Sequence, residues 1–246
     1  MVTITYINHS CFLMEWDNCY WLFDYYNGKI PELDPAKHLL VFSSHNHGDH
    51  FNPEIFKLVE KYPRIAFILS SDIRLKKERL AEFGLAEDKE LTIISVKSRQ
   101  EYKLSDGTGE TILLKTLRST DRGVAFLLHY QGKSIYHAGD LNDWVWKEET
   151  EQKNQNMTAK FNKELEAVRE LPIDVAFAPL DPRQEEWYYY GLEKLLMTAK
   201  IRYVFPMHFW GHPSIIQKFK QERGNFIPNT EVIEVLQSEQ SWKLNL

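Results

Sequence analysis

Cysteine is scarce in this chain: only Cys11 and Cys19 occur in 246 residues, too few for a disulfide-stapled scaffold. If "CFLMEWDNCYWLFDY" turns as a hairpin at Asp17-Asn18, Trp16 faces Cys19 and Cys11 faces Asp24. The thiols then lie about 17 Å apart along the ribbon, beyond disulfide reach, and both read as reduced. Excess positive charge is lacking too, since 30 Lys and Arg stand against 35 Asp and Glu for a net charge of −5. That balance argues against a nucleic-acid partner gripped by a basic surface, while leaving room for a locally basic pocket. No apolar run nears the length of a membrane span, and "MVTITYINHS" has neither the charged nor the apolar region of a leader. A cytoplasmic protein with no membrane partner is expected. No Gly-x-Ser-x-Gly, Walker or His-Glu-x-x-His signature is present to support the chemistries they carry.

What is present is a strand-rich pattern. "VTITYI", "CFLMEW", "CYWLFDY" and "HLLVFSS" read as strands separated by turn residues. Asn52 can cap a helix that begins at Pro53 and buries Ile55, Phe56 and Val59. "RIAFILS" reads as a buried strand, and residues 72–83 as a helix closed by Gly84. Four short strands follow: "LTIIS", "ETILLKTL", "GVAFLLHY" and "KSIYHAG". The polar stretch 147–156 reads as a loop or lid. Met157, Phe161, Leu165 and Val168 recur at helical spacing. Strands and helices then alternate: "DVAFAP", a helix over about 186–199, "IRYVFPM", a helix from about Ser214, and the closing strands "EVIEVL" and "SWKLNL". Two strand-rich halves with interspersed helices predict sheets packed face to face with helices outside, in a single domain over 1–246.

The stretch "FSSHNHGDHFNP" holds three of the nine histidines. His45, His47, Asp49 and His50 sit at the end of a buried strand, on the loop into a helix. Buried imidazoles and carboxylates crowded together are costly without compensation, and a divalent cation supplies it. Gly48 lets the backbone turn so that His45 and His47 converge, leaving Asp49 and His50 aimed at a second cation.

His45-x-His47-x-Asp49-His50 after an apolar strand resembles the signature of metallo-β-lactamase fold hydrolases. "SIYHAGD" is similar to the later strand of that family, ending at Asp140, and "YVFPMHF" to its final strand, ending at His208. The opening "ITYINHSCFLME" is similar to the branch that includes ascorbate-6-phosphate lactonases. The resemblance implies an α/β fold, a four-layer αβ/βα sandwich with the metals at one edge of the sheets. It assigns His45 and His47 to a first metal, Asp49, His50 and His208 to a second, and Asp140 between them. It further implies that a metal-bound hydroxide attacks a carbonyl or phosphoryl centre, with Asp49 orienting it.

One departure stands out. The family supplies another first-site histidine between the first signature and the Gly-Asp strand, yet no histidine occurs from 51 to 128. Asp121 is the nearest substitute, ahead of Ser119, Thr120 and His129. His9 reads as a substrate-binding or supporting residue or as one that pins the hairpin, and His137 as packing in its strand or supporting the site. Arg183, after Asp181-Pro182, reads as a holder for an anionic group, and Trp144, Trp146 and Tyr188 to Tyr190 as aromatics near the cleft. The expected function is a metal-dependent hydrolase of a small ester, lactone or phosphoester, using one or two ions of zinc, manganese or iron. The alternatives are a degenerate metal-binding protein with a regulatory role and a di-iron redox protein of the same fold. A nuclease is disfavoured by the acidity.

Overall fold

Side chains alternate across a strand, so a strand buried on both faces needs apolar residues at every position. The N-terminal half meets that demand. In a computed structural model describing residues 1–75, 92–226 and 229–246, its strands are β1 Val2–Asn8, β2 Cys11–Glu15, β3 Cys19–Phe23, β4 His38–Ser43, β5 Ile65–Ser70 and β6 Thr92–Val96. With a C-terminal strand, β14 Ser241–Leu244, they form a seven-stranded sheet in the order β14-β1-β2-β3-β4-β5-β6. Phe12, Met14, Trp21, Phe23, Leu40, Phe42 and Ile68 point to the core between the sheets. Their neighbours Leu13, Leu22, Leu39, Val41 and Phe67 point outward to a second cluster with Ile55 and Phe56. Those last two lie on a 3-10 helix, Pro53–Glu60, whose cap Asn52 accepts a hydrogen bond from the Glu54 amide.

The second sheet runs β13-β12-β11-β10-β9-β8-β7. Its strands are β7 Glu101–Ser105, β8 Thr111–Arg118, β9 Val124–Tyr130, β10 Lys133–His137, β11 Pro172–Pro179, β12 Lys200–Met207 and β13 Glu231–Val232. Helices α1 Glu151–Leu165, α2 Tyr190–Thr198 and α3 Ser214–Arg223 follow β10, β11 and β12 respectively. The expected four-layer sandwich is thus the observed architecture. In each sheet the strands from the middle to one edge are parallel: β3 to β6 in one, β10 to β13 in the other. Loops leaving their carboxyl ends gather on one edge, the usual place for a site in a parallel sheet.

The β2–β3 register pairs Phe12 with Phe23 and Glu15 with Tyr20, which is the hairpin expected from the sequence. Both cysteines are buried and free. Four readings change. The stretch 147–156 is not a loop or lid throughout, because Thr150 caps α1 and residues from Glu151 onward are helical. Its polar face is solvated, which hid the helical period. "EYKLS" is an unanticipated strand, β7, at the sheet edge where one face is exposed. "EVIEVL" pairs with β12 only at Glu231–Val232. The helix expected over about 186–199 starts later, at Tyr190, because residues 182–187 form a 3-10 turn before it. The helix expected over 72–83 lies mostly outside the described residues, and Asp72 to Leu75 are not helical. No helix among the described residues is long and apolar enough to cross a membrane.

The two sheets touch at the site. The Val124 amide donates to the Ser44 carbonyl at 2.9 Å, joining the start of β9 to the end of β4. Gly123 beside it has φ +66°, and a Cβ there would lie 2.0 Å from that carbonyl oxygen. Gly123→Ala is therefore expected to lower stability by about 1–3 kcal/mol, read as a shift of the denaturant midpoint. An unchanged midpoint would mean this contact yields without cost.

Candidate metal centre

Each functional side chain leaves the end of a strand. His45, His47, Asp49 and His50 follow β4, Asp140 follows β10, His208 follows β12, His9 lies in the β1–β2 turn and Asp121 in the β8–β9 loop. The backbone at His9 (φ 52°) and His208 (φ 64°) is left-handed, as it is at Asp24 (φ 44°) just after β3. Such conformations cost of order 1–3 kcal/mol each in non-glycine residues and persist only where the surroundings impose them.

The ligand-type atoms form two groups, each with all its atoms within 4.8 Å of one another: His45, His47, Asp121 and Asp140, and His9, Asp49, His50 and His208. Asp140 lies between them. Its Oδ2 is 3.2 Å from His45 Nε2, while its Oδ1 is 3.2 Å from His50 Nε2 and 3.4 Å from His208 Nε2. Asp49 Oδ2 is 3.4 Å from His9 Nε2 and 3.8 Å from both His50 and His208 Nε2. Asp121 Oδ2 is 3.5 Å from His47 Nδ1, so the loop that lacks the family's histidine delivers a carboxylate beside His47.

The far side of each ring decides what the near side can do. Ser44 donates both its amide and its hydroxyl to Asp24, each at 2.7 Å. Having one hydroxyl proton, Ser44 Oγ can only accept from His45 Nδ1, 2.9 Å away. His50 Nδ1 faces Asp24 Oδ2 at 2.8 Å and His208 Nδ1 faces Asp181 Oδ2 at 2.9 Å. All three rings therefore carry a proton on Nδ1, which directs Nε2 toward Asp140 as the atom left for a cation. His9 Nε2, His45 Nε2, His50 Nε2, His208 Nε2 and Asp140 Oδ1 are buried without a hydrogen-bond partner. A buried polar atom left unpaired costs about 1–3 kcal/mol, so five together amount to a donor set that lacks only an acceptor of lone pairs. Divalent cations fit it.

Charge among the site's own side chains is finely opposed. Burial works against ionisation of Asp140, yet His50 and His208 hold its carboxyl well below the usual range. Burial likewise opposes the His50 cation, and Asp140 and Asp24 override it, raising His50 well above its ordinary value. His9 is pushed down to about 4 by burial, only partly offset by Asp49.

A cavity of about 540 Å³ opens over these groups, walled by Trp144, Trp146, Met157, Arg183 and Trp210. Trp144 donates from Nε1 to the Asp140 carbonyl at 2.9 Å. Arg183 grips Asp181 with Nε and Nη2 and lies 4.4 Å from the centre of the Trp210 ring. Tyr188 turns away to donate to Glu222. His137 is fully buried, with Nε2 3.0 Å from the Ser10 carbonyl oxygen. Asp24, Ser44 and Asp181 were not singled out from sequence. The available signal was an acid directly after a buried strand, in "YWLFD" and "AFAPLD".

The profile of the Beta-lactamase superfamily domain matches residues 3–208. The chain belongs to this superfamily. Solved structures with the superfamily's fold cover it almost end to end. Igni18, a metallo hydrolase from the archaeon Ignicoccus hospitalis, is 21% identical with TM-score 0.61, each chain 99% covered. Human tRNase Z, short form, is 12% identical with TM-score 0.58 and full mutual coverage. CmlA, a diiron β-hydroxylase from Streptomyces venezuelae, is 14% identical with TM-score 0.61; 99% of this chain aligns with 54% of it. No curated protein matches in sequence. Identities this low establish the fold alone. A metallo-β-lactamase fold implies divalent-metal binding, and the two His/Asp groups are this member's candidates for it.

Two outcomes follow from the geometry. Asp24→Ala strips His50 and Ser44 of their partner and is expected to weaken cation affinity about 10–100-fold, measured by titrating metal-free protein. Because His50 is held protonated without metal, cation uptake should release protons and tighten as pH rises through its raised pKa. Titration in weakly buffered solution reads this, and uptake without proton release would contradict the charge state described.

Proposed function

We propose that this superfamily member is a metal-dependent hydrolase of a small ester, lactone or phosphoester. The observation that carries the reading is the convergence of the buried, partnerless Nε2 atoms of His45, His50 and His208 on Asp140, which with His208 lines an aromatic-walled cavity. Divalent cations held there supply Lewis acidity and lower the pKa of a coordinated water, chemistry suited to such bonds near neutral pH. In this reading His45, His47 and Asp121 hold one cation, Asp49, His50 and His208 hold the other, and Asp140 serves both. Asp49 lies on the cavity wall; burial opposes its ionisation, but His9, His50 and the backbone together hold its carboxyl low, so it is ionised and placed to accept a proton from an attacking water. His9 holds Asp49 in that position.

The cavity suits a small molecule. Trp144, Trp146 and Trp210 offer apolar faces, and the Arg183 Nη1, without an acceptor among the described residues, is available to an anionic group. A lactone or phosphorylated substrate also accords with the likeness of residues 4–15 to the lactonase branch. The reading includes a single domain acting in the cytoplasm, with neither nucleic acid nor membrane as partner. Zinc is the preferred ion. Asp121 makes the first group richer in carboxylate than an all-histidine set, which shifts preference toward manganese or iron and supports a di-iron redox centre as the second reading. An optical spectrum of the iron-loaded protein separates the two.

Chelation is expected to abolish turnover on a panel of lactones, thioesters and phosphodiesters, and added Zn²⁺ or Mn²⁺ to restore it. Asp49→Ala should lower kcat by about 100-fold or more, in the range of lost general-base catalysis, with the circular-dichroism spectrum unchanged. Full turnover by chelated protein would end this reading. For the first group, Asp121→Ala should weaken one of two cation-binding steps and leave the other unchanged. Two equally tight steps in both proteins would mean that another group replaces the missing histidine.

A further inference from the structure

Behind Asp121 lies a second cavity of about 320 Å³, lined by Arg99, Arg118, Ser119, Thr120, Asp121, Lys160, Lys163 and Glu164. Four cations line one small cavity on a chain whose net charge is −5. Arg99 pairs with the buried Glu164. The other oxygen of Glu164 accepts the Arg118 amide at 3.0 Å, so this carboxylate is fully engaged in holding β8 to α1. Arg118, Lys160 and Lys163 form no ion pair among the described residues. Lys160 and Lys163 are three apart on α1 and share one face of it, where like charges repel. Asp121 lines both this cavity and the one over the metal centre, so the two are neighbours across a single side chain.

We propose that this cavity binds a compact oxyanion, the phosphate end of the substrate hydrolysed at the metal centre. The inference rests on the hydrolase reading for the word substrate, but the binding of phosphate does not. Lysine ammoniums and an arginine fork converging from β8 and α1 match the charge and the several acceptor oxygens of a phosphate. Arg183 lines the cavity over the metal centre and not the one behind Asp121, so it does not share an anion bound here. The substrate class is then a phosphorylated ester or lactone whose phosphate is remote from the bond that breaks.

The test compares the metal-loaded full chain with its K160E/K163E variant, and with K160R/K163R, which keeps the charge. Both positions are exposed on α1, so the fold is expected to survive, and a thermal melt checks it. Inorganic phosphate, titrated calorimetrically, should bind the K160E/K163E protein about tenfold more weakly. The arginine variant should bind like the parent, and the difference should shrink with added salt. The ratio of kcat/KM for a phosphorylated ester over its unphosphorylated counterpart should fall by a similar factor. Equal phosphate binding by parent and K160E/K163E overturns the inference, whether or not any ester is hydrolysed. A binding difference with no change in the ratio overturns the assignment to substrate and identifies the ligand as free phosphate. Absence of hydrolysis on every ester, with the binding difference intact, overturns the hydrolase reading and leaves the anion site standing.

Discussion

The Asp24 carboxylate is the interaction on which the site depends. It takes the Ser44 amide, the Ser44 hydroxyl and His50 Nδ1 within 2.8 Å. Through Ser44 it also sets the proton position on His45. A carboxylate fully buried in this way is stable only when several donors surround it, so Asp24, Ser44, His45 and His50 form one interdependent unit. Asp181 repeats the arrangement at His208, and Arg183 donates to both oxygens of that carboxylate. The consequence is directional. Imidazole rings that could otherwise adopt either tautomer are all committed to offering Nε2 to the same small volume.

The scaffold explains why such a volume exists. The parallel strands of each sheet end on one side of the sandwich, and their loops carry the acids and histidines that apolar strands cannot hold. Left-handed backbone at His9, Asp24 and His208 turns these side chains inward at the first residues past their strands. The interaction between Ser44 and Val124 joins the two sheets at that edge. The cost of strained backbone and unpaired donors is borne by the large apolar core between the sheets, which is independent of the site's chemistry.

Charge is distributed unevenly around the centre. Carboxylates dominate the floor, where cations are expected, while arginine and lysine gather behind Asp121 and at Arg183. Aromatic rings occupy the remaining wall. A ligand entering there meets an apolar flank and cationic ends, an arrangement for a small anionic molecule rather than for a polymer tracked by a continuous basic surface.

Local pattern was enough to read much of this protein. Apolar runs bounded by turn residues placed the strands, since every position of β2 to β5 must suit one core or the other. The spacing His45-x-His47-x-Asp49-His50 after such a strand signalled the centre, because four polar groups at the end of a buried strand need a common partner. The hairpin register at Asp17-Asn18 followed from its two-residue turn. Tertiary structure alone decided the rest. Asp24 lies 26 residues from His50 and Asp181 lies 27 from His208, and only the strand order brings each acid to its ring. The start of α1 was hidden because its first turns are solvated and carry no apolar period. Asp121 could be named from sequence as a substitute, but its position beside His47 and in the wall of two cavities depends on how the β8–β9 loop packs against the end of β4. Sequence spacing specifies which groups one strand end can present; the closing of one sheet on the other specifies which groups they meet.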